Sequence, residues 1–217
     1  MVVTQLEPFY KGHNRVSIYL NNQFAFVLYE GELSKYGLKV GIDFDDNLYK
    51  RILDEVLIPR AKKRGLNLLM KMDRTESDVR SKLQESGYPV EAVDQAIKYL
   101  QSFHYIDDFR YASDYIRFKS SSMSRKQIYL KLSQKGITKD IITRAFDEYD
   151  ASDDESRQAS AEVILIRKLI NKRLKGNIEP LDYDSKNKLF AYMYNKGFNL
   201  SEVESVYEEM LLDITSE

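Results

Sequence analysis

Two adjacent aspartates inside a run of aromatic residues are the first candidates for chemistry in this sequence. The stretch "HYIDDFRYA", residues 104–112, places Asp107 and Asp108 close to His104. Clustered carboxylates bind hard cations or act as an acid and base pair. An aspartate can equally begin a helix, because its side chain accepts a hydrogen bond from a free backbone N–H. Which of these roles applies decides whether the protein is an enzyme.

The rest of the chain offers little further chemistry. It has two histidines, His13 and His104, and no cysteine, which excludes disulfides, thiolate metal sites and a cysteine nucleophile. Neither histidine falls in a recognisable nucleophile or metal motif, and the sequence has no Gly-rich phosphate loop. The acidic stretches "GIDFDD" (residues 41–46) and "SDDES" (residues 152–156) could hold a hard cation, but they are more typical of linkers or helix starts. We therefore predict no enzyme activity, no metal and no cofactor.

Composition indicates a helical, non-membrane protein. Of 217 residues, 43% are hydrophobic and 31% charged, which suits a folded globular chain. Only 9 glycines and 4 prolines interrupt an abundance of helix-forming residues. Glu7 and Pro8 stand where a signal peptide would need its apolar run, and no apolar stretch is long enough to cross a bilayer. We expect a cytoplasmic protein.

The N-terminal region differs from the rest in its periodicity. Apolar residues alternate along residues 15–28 on either side of Asn21 and Asn22, which predicts a β-hairpin with a tight turn. A short helix ended by Gly37 should follow. Farther on, Pro59 is expected to separate a helix that ends near Ile58 from another that begins at residue 60.

An internal repeat is the strongest signal in the sequence, and it is anchored on Gly87, Gly136 and Gly197. Each glycine has a Ser or Thr twelve residues before it and apolar residues at −8, −4, +1, +6, +10 and +13. This spacing predicts a capped helix, a glycine C-terminal cap and a second helix. The predicted caps are Thr75, Ser124 and Ser185.

A third periodic segment precedes each helix pair, at about residues 60–71, 107–119 and 159–175. The predicted fold is therefore mainly α, a tandem repeat of three three-helix units in an elongated curved arrangement after a short N-terminal β-hairpin. The predicted domains are residues 1–46 (hairpin and short helix), 47–102, 103–150 and 151–217 (repeats 1 to 3).

Charge is segregated along this repeat although the net charge is only −1. Basic residues gather on the first two helices of a unit and acidic residues on the third, which favours a surface for an alternating or polyanionic partner. Solvated faces with weak ion pairs remain the alternative. Sequence-specific DNA reading is disfavoured, because the helix after each glycine is neutral to acidic and phosphates would repel it. Non-specific DNA contact through the basic helices stays open.

Three consecutive stretches carry a resemblance to known proteins: "RTESDVRSKLQESGYPVEAVDQAIKYL" (residues 74–100), "YIDDFRYASDYIR" (residues 105–117) and "SRKQIYLKLSQKGI" (residues 124–137). The second stretch looks like the hallmark of the RecX family, bacterial regulators of the RecA recombinase. The other two resemble the family segments just before and just after that hallmark. The third unit matches by repeat pattern, with a longer link at residues 175–186. The resemblance implies three tandem three-helix units that bind in the groove of the RecA–DNA filament and mostly inhibit its ATPase and strand exchange, within DNA repair and the SOS response.

The best-matching region also holds the candidate site residues. The predicted partner-binding residues are Arg74, Arg110, Arg117, Lys119, Arg125, Lys126, Lys131 and Lys135. The predicted structural junction between repeats 1 and 2 is Tyr105, Ile106, Asp107, Asp108 and Tyr111. In this interpretation Asp107 is a helix N-cap and Asp108 the first helical residue. The expected partner is the RecA filament, DNA contact through basic helices is the alternative, and the protein itself is expected to be a monomer.

Overall fold

A computed structural model of the chain describes residues 1–11, 13–152 and 160–215. The chain forms two compact units, Met1–Asp107 and Asp108–Glu217. The first unit combines a small sheet with one helical repeat, and the second unit holds two helical repeats. None of the helices in the described ranges is long and apolar enough to cross a bilayer.

The first unit begins with a three-stranded antiparallel sheet in the order β1 (Val3–Pro8), β2 (Arg15–Leu20) and β3 (Gln23–Tyr29). The predicted hairpin is confirmed as β2 and β3, and its turn residues Asn21 and Asn22 have φ of 49° and 65°. The sequence did not reveal β1. Its inward and outward positions hardly alternate, and its pairing with β2 is irregular near its start.

Helices follow the sheet without the break expected at Pro59. Helix α1 (Glu30–Lys35) ends before Gly37, as predicted. Helix α2 (Asp46–Ile52) continues through a π-helical turn, Leu53–Leu57, directly into α3 (Ile58–Leu69). The prediction of two separate helices was wrong, because the Ile58 N–H bonds to the carbonyl of Leu53, and this wider turn accommodates the proline at the start of α3.

Repeat 1 consists of α3, α4 (Glu76–Gln84) and α5 (Val90–Ser102), and it shares one apolar core with the sheet. Helices α3 and α5 approach each other closely at Gly65 of α3, where an added Cβ would lie 2.6 Å from a methyl group of Leu100 on α5. The sheet covers the other side of this core with Ile18, Phe26 and Leu28, all fully buried.

The second unit contains repeats 2 and 3, each around its own core. Repeat 2 consists of α6 (Asp108–Lys119), α7 (Arg125–Gln134) and α8 (Lys139–Ser152). Repeat 3 consists of α9 (Ala161–Arg173), α10 (Tyr183–Asn195) and α11 (Leu200–Thr215).

The three anchoring glycines adopt one backbone conformation, which confirms the repeat: φ is 86° at Gly87, 82° at Gly136 and 85° at Gly197. The apolar positions at −8, −4, +1, +6 and +10 are buried in all three copies. Those positions are held by Val79, Ile128 and Leu189; Leu83, Leu132 and Met193; Tyr88, Ile137 and Phe198; Val93, Ile142 and Val203; and Ile97, Phe146 and Tyr207.

Two of the three predicted helix caps are confirmed. Thr75 accepts a hydrogen bond from the Asp78 N–H, and Ser124 accepts one from the Gln127 N–H. The prediction of Ser185 as the third cap was wrong. Helix α10 starts earlier, Asp182 is its cap, and the Asp182 carboxylate accepts a hydrogen bond from the Ser185 N–H. The longer link before this helix supplies its own N-cap residue, Asp182, three positions before the serine of the repeat pattern.

Candidate interaction surface

Helix α7 is the most basic helix of repeat 2, and Ser124 at its N-terminal end contacts repeat 3. The Ser124 hydroxyl accepts the N–H of Gln127 and donates to the Lys196 carbonyl, 2.7 Å away in the turn after α10. Beside that carbonyl, an added Cβ on Gly197 would lie 2.7 Å from the same hydroxyl oxygen. We call this contact of Ser124 with Lys196 and Gly197 the repeat joint.

Arg125 lies inside this joint region. Its guanidinium pairs with Asp150 at 2.8 Å and covers the ring of Phe146 at 4.3 Å, while its backbone N–H donates to Glu162 of α9. Burial raises the pKa of the half-buried Glu162 carboxyl, although the Arg125 N–H partly offsets that increase. The side chain of Arg125 therefore contacts α8, and its backbone N–H contacts α9.

Lys126 also faces repeat 3, whereas the later lysines of α7 do not. The Lys126 ammonium lies 5.6 Å from the ring centroid of Tyr194 on α10. Lys135 lies over Tyr111 of α6, at 5.5 Å. Lys131 is exposed, and within the described ranges no carboxylate lies within ion-pair distance of it. The basic residues of α7 thus differ in their contacts: Arg125 and Lys126 are exposed but also touch α8 or α10, whereas Lys131 faces solvent.

The remaining predicted contact residues vary in accessibility. On α6, Arg110 and Lys119 are exposed, and Arg117 is exposed beside Asp114 at 3.5 Å. In the first unit, the side chain of Arg74 is only 19% exposed and pairs with Asp78 at 2.5 Å. Geometry therefore favours the residues of α6 and α7 over Arg74 as contacts for a partner.

The aspartate pair lies at a helix start. Helix α6 begins at Asp108, so Asp107 occupies the N-cap position, and the boundary of the two compact units falls between these residues. Ile106 is buried in the core of the first unit and Tyr111 packs against that of the second, while Tyr105 is half exposed. The role of these five residues as a junction stays a prediction.

No metal centre emerges in the described parts of the chain, where no group of three or more potential ligands comes together. In the first acidic stretch, Asp45 caps α2 by accepting the N–H of Leu48 at 2.7 Å. The second acidic stretch, residues 152–156, falls largely outside the described residues. His13 and His104 are both exposed.

Sequence reasoning missed a basic cavity in the first unit. It has a volume of about 350 Å³ and is lined by Lys11, Arg15, Tyr29, Arg60, Lys63, Arg64, Asn67, Ser86 and Tyr88. The basic run on α3 was visible in the sequence. Its proximity to Lys11 and Arg15 was not, because the sequence pattern does not show how the sheet packs against α3.

Comparison with known proteins supports the repeat and its family. Residues 61–100 match the family model described as "RecX, first three-helix domain", and residues 107–145 match "RecX, second three-helix domain". The regulatory protein RecX of Clostridium acetobutylicum is 29% identical over 208 residues, covering 96% of this chain and 95% of its own. That of Clostridium tetani is 28% identical over 211 residues, covering 96% and 94%.

Solved structures agree in fold. A crystal structure of regulatory protein RecX is 27% identical and aligns with a TM-score of 0.62 over 95% of this chain and 98% of the other. RecX from Lactobacillus salivarius aligns with a TM-score of 0.61 over 70% and 96% at 24% identity, which bears on the fold alone. The two matched three-helix domain models and the near-complete coverage of the curated relatives together support a protein of the RecX family.

Proposed function

We propose that this protein binds the RecA nucleoprotein filament in the cytoplasm and modulates, mostly inhibits, its ATPase and strand-exchange activities. Membership in the RecX family is the single observation that carries this proposal. The architecture is compatible with it, because tandem units on one chain engage a repeating polymer with a gain in effective concentration. Such a role needs a surface rather than a catalytic centre.

The exposed cations of repeat 2 are the contacts we infer for the filament. Lys119 and Lys131 are exposed on α6 and α7, and Lys135 is exposed just after α7, where it lies over Tyr111. Such a surface is complementary to acidic patches of a protein filament or to the phosphates it carries. Arg125 and Lys126 would act indirectly, since their side chains pack within the unit.

The direct test is the DNA-dependent ATPase rate of the cognate RecA on single-stranded DNA, with increasing amounts of the purified protein. We expect inhibition at substoichiometric to equimolar protein. An unchanged rate at saturating protein would refute the proposal.

A charge reversal locates the surface. The variant Lys131→Glu should weaken inhibition by about threefold or more in the concentration needed, because rim charges control association of complementary surfaces. The matched control is Lys139→Glu, an exposed lysine of the same repeat at the start of α8. Inhibition should be close to that of the unchanged protein in the control; an equal loss in both would assign the effect to net charge.

A further inference from the structure

The basic cavity of the first unit has features of a binding site, although no predicted contact residue lines it. It forms where the sheet meets repeat 1, with residues from the ends of β1, β2 and β3, from α3 and from the turn after α4. Its volume of about 350 Å³ falls within the range typical of ligand pockets, roughly 300–1,000 Å³. Five of its nine lining residues are cations, so an anion is the expected occupant.

Two of the five cations are fixed by the fold. The Arg15 guanidinium donates to the Ser86 carbonyl at 2.5 Å and to the Lys11 carbonyl at 3.1 Å. Arg60 forms a short ion pair with Glu32 and covers the ring of Tyr29 at 4.6 Å. Because these arginines are preorganised, a ligand that uses their remaining N–H groups need not immobilise them first.

Two other cations have no ion-pair partner among the residues that the structure describes. Lys63 and Arg64 are exposed on α3, and within the described residues no carboxylate lies within ion-pair distance of either. By contrast, Lys11 pairs with Glu85 at 3.3 Å. The open positive charge of the cavity is therefore concentrated on the edge formed by α3.

Aromatic side chains favour a nucleic acid over an acidic peptide. The ring of Tyr29 is 43% exposed beside the cations, and Tyr88 lines the cavity beneath them. Cationic grooves with exposed aromatic side chains bind unpaired nucleotides, since phosphates contact the cations and bases stack on the rings. A carboxylate-rich peptide would gain nothing from Tyr29 beyond its apolar area.

We propose that the cavity lined by Arg15, Tyr29, Arg60, Lys63 and Arg64 binds the phosphodiester backbone of single-stranded nucleic acid, with a base against Tyr29. This site is separate from the RecA contacts proposed on repeat 2 and does not depend on them. Phosphate recognition by Lys63 and Arg64 would supply affinity, and Tyr29 would distinguish an unpaired base from other anions.

The test uses the full chain without RecA and a fluorescein-labelled oligothymidylate, followed by fluorescence anisotropy at several salt concentrations. In Lys63→Glu/Arg64→Glu we expect affinity to fall about tenfold or more at low salt. The slope of log K against log salt should become shallower by about 1.4, since each phosphate contact on a single strand contributes about 0.7. Lys62→Glu is the matched control, because its ammonium lies on the same helix but over Tyr99, at 4.8 Å.

Three results would overturn the proposal. The first is no anisotropy change with the unaltered protein at low salt. The second is a loss in Lys62→Glu that is half or more of the double variant's loss in log K, which is the share that a response to net charge alone would give. The third is binding of a labelled oligoglutamate as tight as that of oligothymidylate, which would make an acidic protein the occupant. A Tyr29→Leu variant should lose oligothymidylate affinity about fivefold or more. An unchanged affinity would mean that no base stacks on Tyr29.

Discussion

The turn after the middle helix is used differently in the two compact units. In the first unit, β3 packs on the turn of repeat 1: the Val27 N–H donates to the Gly87 carbonyl at 3.1 Å, and an added Cβ on Gly87 would lie 2.2 Å from a Val27 methyl group. We call this contact the sheet joint. In the second unit, the repeat joint places the Ser124 hydroxyl against the equivalent turn of repeat 3.

The two joints share the glycine turn and differ in the element that packs on it. In both joints the neighbour approaches a glycine with φ near 85° and donates to a backbone carbonyl, that of Gly87 itself in the sheet joint and that of Lys196, just before Gly197, in the repeat joint. A strand with an apolar side chain fills the sheet joint, and a helix start with a polar side chain fills the repeat joint. Each turn is thus a contact site for a neighbouring element. The lack of a side chain on its glycine matters as much as the positive φ of that glycine.

The largest effect is expected at the sheet joint. Gly87→Ala should destabilise the protein by about 2–5 kcal/mol, because a left-handed alanine costs about 1–2 kcal/mol and overpacking about 1–3 kcal/mol. The measurement is guanidinium unfolding followed by circular dichroism. Gly41→Ala is the control, since Gly41 has φ of 89° but no atom within 4 Å of an added Cβ. Equal losses in the two variants would mean that the contact with Val27 carries no cost.

A smaller effect is expected at the repeat joint. Gly197→Ala should cost about 2–4 kcal/mol, because its backbone strain is the same and the Ser124 hydroxyl must move away from the added methyl group, which weakens its two hydrogen bonds. Gly176→Ala provides the control in the same unit: φ is 84° and the nearest atom is 3.9 Å from the added Cβ. If Gly176→Ala is as destabilising as Gly197→Ala, the repeat joint contributes nothing beyond the turn itself.

Removing the hydroxyl tests the same joint from the other side. Ser124→Ala should cost about 2 kcal/mol, since it removes a helix cap and the bond to the Lys196 carbonyl. Ser160→Ala removes the cap of α9 at an exposed position and should cost about 1 kcal/mol. Urea unfolding of both variants measures the difference. A larger loss in Ser160→Ala would contradict the role of Ser124 in joining the repeats.

Local rules predicted the parts of this architecture that depend on spacing along the chain. The glycine anchors, the caps Thr75 and Ser124 and the hairpin turn at Asn21 and Asn22 all follow from neighbours within one helix or turn. Pro59 shows the limit of such rules, because the π-helical turn before it depends on packing that the sequence pattern does not contain.

The candidate surfaces were less predictable, because accessibility depends on contacts distant in sequence. Arg125 and Lys131 are alike as basic residues of one helix, yet one packs on Phe146 and the other faces solvent. Likewise, Arg15 and Lys63 meet in one cavity although 48 positions separate them along the chain. Apolar spacing predicts which face of a helix is buried, but it does not predict which of its charged residues a neighbouring helix will contact.

The smallest expected effect concerns the pH dependence of the second unit. Burial raises the pKa of Glu162 above its ordinary value, so the folded state binds this proton more tightly than the unfolded chain. The contribution of Glu162 to stability is therefore greatest below the unfolded pKa and falls as pH rises through the folded pKa.

Glu162→Gln removes this titration while an amide oxygen can still accept the Arg125 N–H. We expect the variant to gain about 0.5 kcal/mol on the unaltered protein between pH 4 and pH 7, measured by thermal unfolding. Glu148→Gln, an exposed position on α8, should show no such gain. If the two proteins differ in free energy of unfolding by the same amount across this pH range, Glu162 is not desolvated. The region around Arg125 would then be as hydrated as an ordinary protein surface.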